Sequence, residues 1–260
     1  MIRLVDVKKR LGAKQVLDGL TMEVDAGRTF VVIGRSGTGK SVTLKHIVGL
    51  MRPDAGEVYV DNEPVHVATL PQLAATRRKI GFLFQNGALL NSLDVFENVA
   101  LPLREHAGWD ERRIQRTVEE KLALVGLAGQ GRLMPADLSG GMKKRVSLAR
   151  AIVLAPRIVL YDEPTAGLDP IMANAINQLI ISMKEKLGIT SIVVTHDMAS
   201  ASMIADRIGM LYRGKLLETG TPQEIAKTAN PIVRQFIEGR TEGPLTDEEE
   251  EALRGRSTRR

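Results

Sequence analysis

The chain contains no cysteine among its 260 residues, which excludes disulfide bonds and thiolate metal sites and is typical of a reducing compartment such as the cytoplasm. Aromatic residues make up only 3% of a sequence that is 43% hydrophobic, so we expect a core of aliphatic side chains. No apolar run approaches the length of about 20 residues that a membrane-spanning helix needs. The alternating residues 2–7 predict an N-terminal strand rather than a secretion signal. If the protein acts at a membrane, we therefore expect it to do so through a partner protein.

The basic residues exceed the acidic ones, with a formal net charge of +5. They form short clusters, at residues 8–10, 77–79 and 143–145, rather than one continuous stripe. Since no aromatic residues alternate with these clusters, they lack the stacking platforms of a nucleic-acid surface. We expect solvent-exposed faces and phosphate contacts, with no direct nucleic-acid partner.

A glycine-rich segment follows the apolar run 30–33 and precedes a helical pattern over residues 42–50. Strand, glycine-rich loop and helix are the context of a phosphate-binding loop, where backbone N–H groups surround phosphate oxygens at a helix N-terminus. Lys40 is predicted to reach the β- and γ-phosphates of ATP, and the Ser41 hydroxyl to ligate Mg²⁺. The segment, here called the phosphate loop, comprises Gly34, Arg35, Ser36, Gly37, Thr38, Gly39, Lys40 and Ser41.

Polar side chains follow three further strand-like runs. Asp162 and Glu163 come directly after one of them, and neighbouring side chains on a strand point to opposite faces. Asp162 is therefore predicted to hold Mg²⁺ through water, while Glu163 orients and deprotonates the attacking water. His196 and Gln85 follow two other strands; His196 is expected to bond the γ-phosphate, and the Gln85 amide to reach the metal and the water. Ligands of open α/β folds bind at this edge of the sheet.

The apolar pattern predicts an α/β fold that contains two kinds of sheet. The near-continuous apolar runs favour a parallel sheet between helices, and the alternating N-terminal runs favour an antiparallel β layer. Between residues 84 and 157 the pattern is helical, with a break at Pro102. Strands are expected at residues 2–7, 16–24, 29–33, 57–60, 80–84, 157–161, 190–194 and 207–212, and helices in the intervening segment at 94–101, 110–125 and 139–154.

These patterns divide the chain into two parts. Residues 1–239 are predicted to form one ATPase domain, into which a helical subdomain is inserted over about residues 88–155. Residues 240–260 form a C-terminal extension, in which Thr246 is expected to cap a short acidic helix. A disordered tail is the alternative for this extension.

A second glycine motif, Leu138 to Met142, also precedes a helix and forms another anion-binding helix start. One γ-phosphate is not easily held by two such starts of the same chain. A dimer solves this, because Ser139, Gly140 and Gly141 of one subunit then cap the nucleotide held by the phosphate loop of the other.

In their order along the chain, the motifs resemble those of the ATP-binding-cassette (ABC) ATPases, a class of P-loop NTPases, over residues 1 to about 225. That order is the phosphate loop, Gln85, Leu138–Met142, Asp162-Glu163, Gly167–Asp169 and His196. The resemblance implies a head-to-tail homodimer that closes on two MgATP, with Asp169 at the dimer seam. Two positions depart from the family pattern. Leu11 stands where the family stacks an aromatic side chain on adenine, and Met142 replaces the glutamine that closes the glycine motif.

Four segments resemble, more narrowly, the ATPase of Mla-type phospholipid transporters, which belong to the mammalian-cell-entry (MCE) lipid systems. This resemblance implies a peripheral subunit on the cytoplasmic side of the inner membrane that powers phospholipid transport between inner and outer membranes. It also implies an MlaE-like permease docked near Gln85–Leu103, a small STAS-type regulatory subunit, a periplasmic MCE protein, and a C-terminal extension that grips the other ATPase subunit. The segments are residues 84–90, 102–106, 133–142 and 233–239.

Two alternatives stay open at this point. The same motor serves other transporter classes, such as lipoprotein release and amino-acid import, and its catalytic residues do not separate them. A soluble ABC protein acting on DNA or ribosomes is disfavoured, because only about fifty residues separate Gln85 from Ser139. The DNA-maintenance members of the superfamily carry a long coiled coil there.

Overall fold

The computed structural model describes residues 2–246. Within that range the strands form a four-stranded sheet of order β2-β1-β4-β5 and a six-stranded sheet of order β10-β9-β3-β8-β7-β6. The strands are β1 Ile2–Leu11, β2 Lys14–Val24, β3 Thr29–Ile33, β4 Ala55–Val60, β5 Glu63–Pro64, β6 Ile80–Leu83, β7 Ile158–Asp162, β8 Thr190–Thr195, β9 Arg207–Tyr212 and β10 Lys215–Gly220. The helices are α1 Lys40–Ile47, α2 Leu70–Arg78, α3 Val95–His106, α4 Glu111–Leu124, α5 Gly140–Ile152, α6 Pro170–Leu187, α7 Met198–Ile204, α8 Pro222–Ala226 and α9 Pro231–Glu238, with a 3₁₀ turn at Pro135–Asp137.

The larger sheet is parallel except at its β10 edge, as the apolar runs predict. Strands β3, β7 and β8 are buried along their whole length, because helices cover one face and the four-stranded sheet with α1 covers the other. Ile33 pairs with Thr195, and Asp162 pairs with Val194. The residues that follow these three strands therefore meet at one edge of the sheet.

The smaller sheet is antiparallel, and this prediction is also confirmed. Two short strands, β5 and β10, are additions that the sequence analysis missed. Each follows a tight turn in which both central residues have positive φ, Asp61-Asn62 before β5 and Arg213-Gly214 before β10. That backbone is typical of two-residue hairpins, and the Arg-Gly pair was the available signal.

The segment between β6 and β7 is helical, and no strand occurs across residues 84–157. The predicted break at Pro102 is wrong, because Pro102 lies inside α3, which continues to His106. An interior proline removes a hydrogen bond and costs on the order of 3 kcal/mol. Val99 and Leu103 are fully buried on either side of it, so packing against the core offsets that cost.

The chain continues past α8 into a helix that the sequence analysis did not predict, α9. The following residues fold back onto it: the Leu245 N–H donates to the Gln235 carbonyl Oε1 at 2.7 Å, and Gln235 donates to the Thr246 hydroxyl at 2.7 Å. The predicted acidic helix beyond Thr246 lies outside the described residues, and the domain boundary at 239 stays a prediction. None of the helices within residues 2–246 is long and apolar enough to cross a membrane.

Candidate nucleotide site

The phosphate loop connects β3 to α1 through three glycines with positive φ. Gly34, Gly37 and Gly39 have φ of +151°, +75° and +108°, conformations that favour glycine. A Cβ atom at Gly34 would lie 2.6 Å from the main-chain oxygen of Leu211. The loop therefore has this course only with glycine, and it ends where α1 begins, at a helix N-terminus that attracts anions.

The loop forms one wall of a cleft of about 780 Å³, a size suited to a small-molecule ligand. The cleft brings together most of the residues predicted from separate motifs. Asp162 is buried directly behind Ser41 rather than in the cleft wall. The lining residues are Leu11, Val16, Arg35, Ser36, Gly37, Gly39, Lys40, Ser41, Val42, Gln85, Glu163, His196 and Phe236.

Lys40 carries its positive charge into the turn of the loop. Its ammonium donates to the carbonyl oxygens of Gly34 at 2.7 Å and Arg35 at 3.1 Å, and lies 3.5 Å from Glu163 Oε1. The residue is only 6% exposed. Burial lowers the pKa of Lys40, and the Glu163 carboxylate opposes that shift. The cleft thus has a fixed cation where a phosphate would enter.

Ser41 and Asp162 present two oxygens to the same point. The Ser41 hydroxyl donates to Asp162 Oδ1 at 2.8 Å, close to the roughly 3 Å that separates adjacent ligands of an octahedral Mg²⁺. Burial raises the pKa of Asp162, and the bond from Ser41 opposes that shift. Among the residues that the structure describes, no three His, Asp or Glu side chains cluster as a metal site. The pair fits an ion that takes its other ligands from a nucleotide and water.

Glu163 directs its carboxylate into the cleft from a strained backbone. Its φ is +48°, a left-handed conformation that persists in a non-glycine residue only when its surroundings impose it. Its N–H donates to the Val194 carbonyl at 2.9 Å, and its Oε2 lies 2.9 Å from His196 Nδ1. Glu163 is thus held between Lys40 and an exposed histidine.

The predicted residues at the starts of α5 and α6 lie away from the cleft. Ser139 caps α5 by accepting the Met142 N–H at 3.3 Å, and Asp169 caps α6 by accepting the N–H groups of Ile171 and Met172 at 3.0 Å. Gly140 and Gly141 are the first residues of α5. This arrangement agrees with the argument that one chain does not place both helix starts on the same phosphate.

Two residues at or near the site escaped the sequence analysis. Phe236 lines the cleft from α9, and no motif near it announced this position. Lys144 is buried on α5 and donates to the carbonyl oxygens of Gln85 and Glu163. A lysine on the buried face of a predicted helix was the available signal for Lys144.

Comparison with known proteins identifies the family. The family model described as "ABC transporter" matches residues 17–166, more than half of the chain. The chain belongs to the ATP-binding subunits of ABC transporters. The predictions of the family, the fold and the ATPase activity are thereby confirmed.

Two curated relatives cover nearly the whole chain. The intermembrane phospholipid transport ATP-binding protein MlaF of Escherichia coli is 38% identical over 245 residues, which cover 94% of this chain and 91% of MlaF. The probable ribonucleotide transport ATP-binding protein mkl of Mycobacterium tuberculosis is 41% identical over 254 residues, which cover 96% of this chain and 70% of mkl.

A solved structure shares the fold. The dimeric ATP-binding cassette MJ0796, in a post-hydrolysis state with ADP and Pi, is 33% identical, with a TM-score of 0.80 over 86% of this chain and 100% of that chain.

Proposed function

We propose that this ABC ATPase hydrolyses MgATP in the cleft and thereby powers phospholipid transport between the inner and outer membranes. The observation that carries the cargo is the likeness to MlaF, which spans 94% of this chain and 91% of MlaF. The mkl protein is slightly more similar in sequence, at 41% identity, but the match covers only 70% of the length of mkl. Because mkl is a probable ribonucleotide transport protein, ribonucleotide transport is the second candidate.

The geometry supports a division of labour in hydrolysis. Lys40, Ser41 and Asp162 hold the nucleotide and the ion, and bound Mg²⁺ neutralises developing charge on the phosphates. Glu163, with His196 at 2.9 Å and Lys40 at 3.5 Å, accepts the proton of the attacking water. His196 orients Glu163 and the γ-phosphate. Gln85, which follows the neighbouring strand β6 and lines the same cleft, orients the water.

The active form is proposed to be a head-to-tail homodimer. Ser139, Gly140 and Gly141 lie outside the cleft that they are expected to cap, so a second copy must supply them. Ile171, beside Asp169 at the start of α6, is 81% exposed and would be covered at such a seam. The dimeric MJ0796 relative supports this assembly.

An MlaE-like permease is proposed to dock beside Gln85. A groove of about 550 Å³ lies there, lined in part by Phe84, Leu90, Leu101 and Pro102. Phe84 is half-exposed and stacks on Phe82 with ring centroids 4.2 Å apart. A STAS-type subunit and a periplasmic MCE protein would complete a complex attached to the cytoplasmic side of the inner membrane.

The test is purification of tagged Glu163→Gln protein from its native host in mild detergent, followed by mass spectrometry of proteins and lipids. An MlaE-like permease, an MCE-domain protein and bound phospholipid would support the proposal. A permease of another class would leave the ATPase assignment intact and overturn the phospholipid cargo. Nucleic acid without any permease would overturn the transporter function itself.

A further inference from the structure

Lys144 is a buried cation to which the proposed mechanism gives no role. It lies in the first half of α5 and is 6% exposed. Its ammonium donates to the main-chain oxygen of Gln85 and, at 3.1 Å, to that of Glu163. A buried ammonium is costly unless it is hydrogen-bonded. Burial lowers the pKa of Lys144, and the carboxylates of Asp162 and Glu163 oppose that shift.

Lys144 belongs to a row of side chains that attaches α5 to the loop after β6. Ser147 and Arg150 follow at intervals of three residues, a spacing that places all three on one helix face. The Ser147 hydroxyl and the Arg150 guanidinium each donate to the Gly87 carbonyl at 2.8 Å. Of these three side chains, Lys144 also reaches the turn after β7.

The second acceptor of Lys144 is the peptide that carries the strained backbone of Glu163. The carbonyl of that peptide accepts the Lys144 ammonium at 3.1 Å and the Ala166 N–H at 3.3 Å. A left-handed non-glycine residue needs such external bonds to keep its conformation. Removing the ammonium would leave the weaker turn bond to hold the carbonyl side of Glu163.

We propose that Lys144 is a positioning residue for ATP hydrolysis, which fixes Gln85 and Glu163 relative to each other and to α5. The proposal rests on the functions proposed above for Gln85 and Glu163. Helix α5 begins at Gly140, in the glycine motif proposed to cap the nucleotide of the second copy. The Lys144 side chain therefore connects that motif to the turns that carry Gln85 and Glu163. Lys144 therefore links the two nucleotide sites of the dimer.

The test compares two substitutions at this position. Lys144→Met keeps the unbranched apolar stem and removes the ammonium. We expect kcat for ATP to fall about 10- to 100-fold, the scale of a misplaced catalytic group, while KM and nucleotide affinity change by no more than about twofold. Lys144→Gln keeps an N–H donor and is expected to show an intermediate kcat. Steady-state ATPase assays, binding of a fluorescent ATP analogue and thermal melting supply these values.

The neighbouring Lys143→Met is the matched control, because within residues 2–246 the Lys143 ammonium has no hydrogen-bond or ion-pair partner. It should hydrolyse ATP like the wild type. A wild-type kcat in Lys144→Met would overturn the proposal. The proposal would also be overturned if Lys144→Met lost kcat and ATP affinity by the same factor and Lys144→Gln showed no higher kcat than Lys144→Met. Should Lys144→Met fail to fold, Lys144→Gln provides the test. A lower kcat with an unchanged KM would support the proposal, and a wild-type kcat would overturn it.

The assay also separates this proposal from the proposed function. If Glu163→Gln hydrolyses ATP as the wild type does, the assignment of the general base fails, and the function of Lys144 fails with it. If Glu163→Gln is inactive while Lys144→Met keeps the wild-type kcat, only the inference about Lys144 is overturned.

Discussion

The Glu163 carboxylate lies in the cleft, where it can accept a proton, and is held there by His196 and Lys40. Replacing it by glutamine keeps its size and its hydrogen-bonding reach to His196 and Lys40 but removes the base. We expect Glu163→Gln to lower kcat by about 10²–10⁴, the usual scale for a lost general base, with ATP binding unchanged. Phosphate release and equilibrium binding measure the two effects. The exposed Glu185→Gln on α6 is the control, and hydrolysis near the wild-type rate in Glu163→Gln would remove Glu163 from this role.

Leu11 lies in the cleft wall, 41% exposed, where the resemblance expects an aromatic side chain against adenine. Stacking of a base on an aromatic ring is worth about 1–3 kcal/mol. We therefore expect Leu11→Tyr to tighten ATP binding by at least roughly fivefold. Titration with a fluorescent ATP analogue measures the change, and Leu50→Tyr, exposed outside the cleft, is the control. Unchanged affinity would mean that the base does not lie against residue 11.

The residues of the site were predictable where a motif follows a buried strand. Lys40, Glu163 and His196 come together because the ends of parallel strands share one edge of the sheet. The apolar runs in the sequence already predicted those parallel strands. Phe236 and Lys144 were not predictable in this way. Their places in the site come from the packing of α9 and α5, and that packing has no local signature.

At the scale of elements, a single buried side chain fastens α3 to the loop that precedes it. Asn98 donates through Nδ2 to the carbonyls of Leu90 at 3.0 Å, Leu93 at 2.9 Å and Asp94 at 2.9 Å, and its Oδ1 accepts the Leu90 N–H at 2.8 Å. This loop lies next to the groove proposed for the permease. Asn98 therefore contributes to the stability of the loop beside that groove.

Asn98→Leu preserves volume but leaves the main-chain groups of the loop unpaired. An unsatisfied buried polar group costs about 1–3 kcal/mol, so we expect a loss of about 2–4 kcal/mol in the free energy of unfolding. Thermal melting should fall by roughly 5–15 °C, given the usual dependence for domains of this size. The exposed Asn174→Leu on α6 should melt like the wild type. Equal melting of both variants would show that the bonds of Asn98 contribute little.

The elements themselves divide by the strength of their local signals. α6 has strong local signals at both ends, because Pro170 occupies its first turn and Gly188 ends it in a left-handed conformation. At Pro102 the local signal pointed the wrong way, since the buried residues on both sides of the proline continue α3. Strand β10 is partly exposed along most of its length, so its apolar pattern was too weak to register.

At the scale of the whole molecule, the fold and family follow from the order of the motifs, whereas the assembly does not follow from one chain. Ser139 and Asp169 cap their own helices, and together with Gly141 they lie outside the cleft of their own subunit. Their separation from the phosphate loop is the structural reason for expecting a second copy. Nothing in the motifs specifies how tightly that copy binds.

The proposed dimer should form on ATP and persist when hydrolysis is blocked. With Glu163→Gln and MgATP, we expect the mass in solution to double from that of one 28.4 kDa chain, because each glycine motif then caps a nucleotide that is not consumed. Light scattering after size exclusion measures it, with ADP as the control ligand. Ile171→Asp adds a charge beside Asp169 at the proposed seam, where a desolvated like-charge contact costs several kcal/mol, and should restore the monomer. A monomer at saturating MgATP in Glu163→Gln would contradict the head-to-tail arrangement, and a dimer that survives Ile171→Asp would place the seam elsewhere.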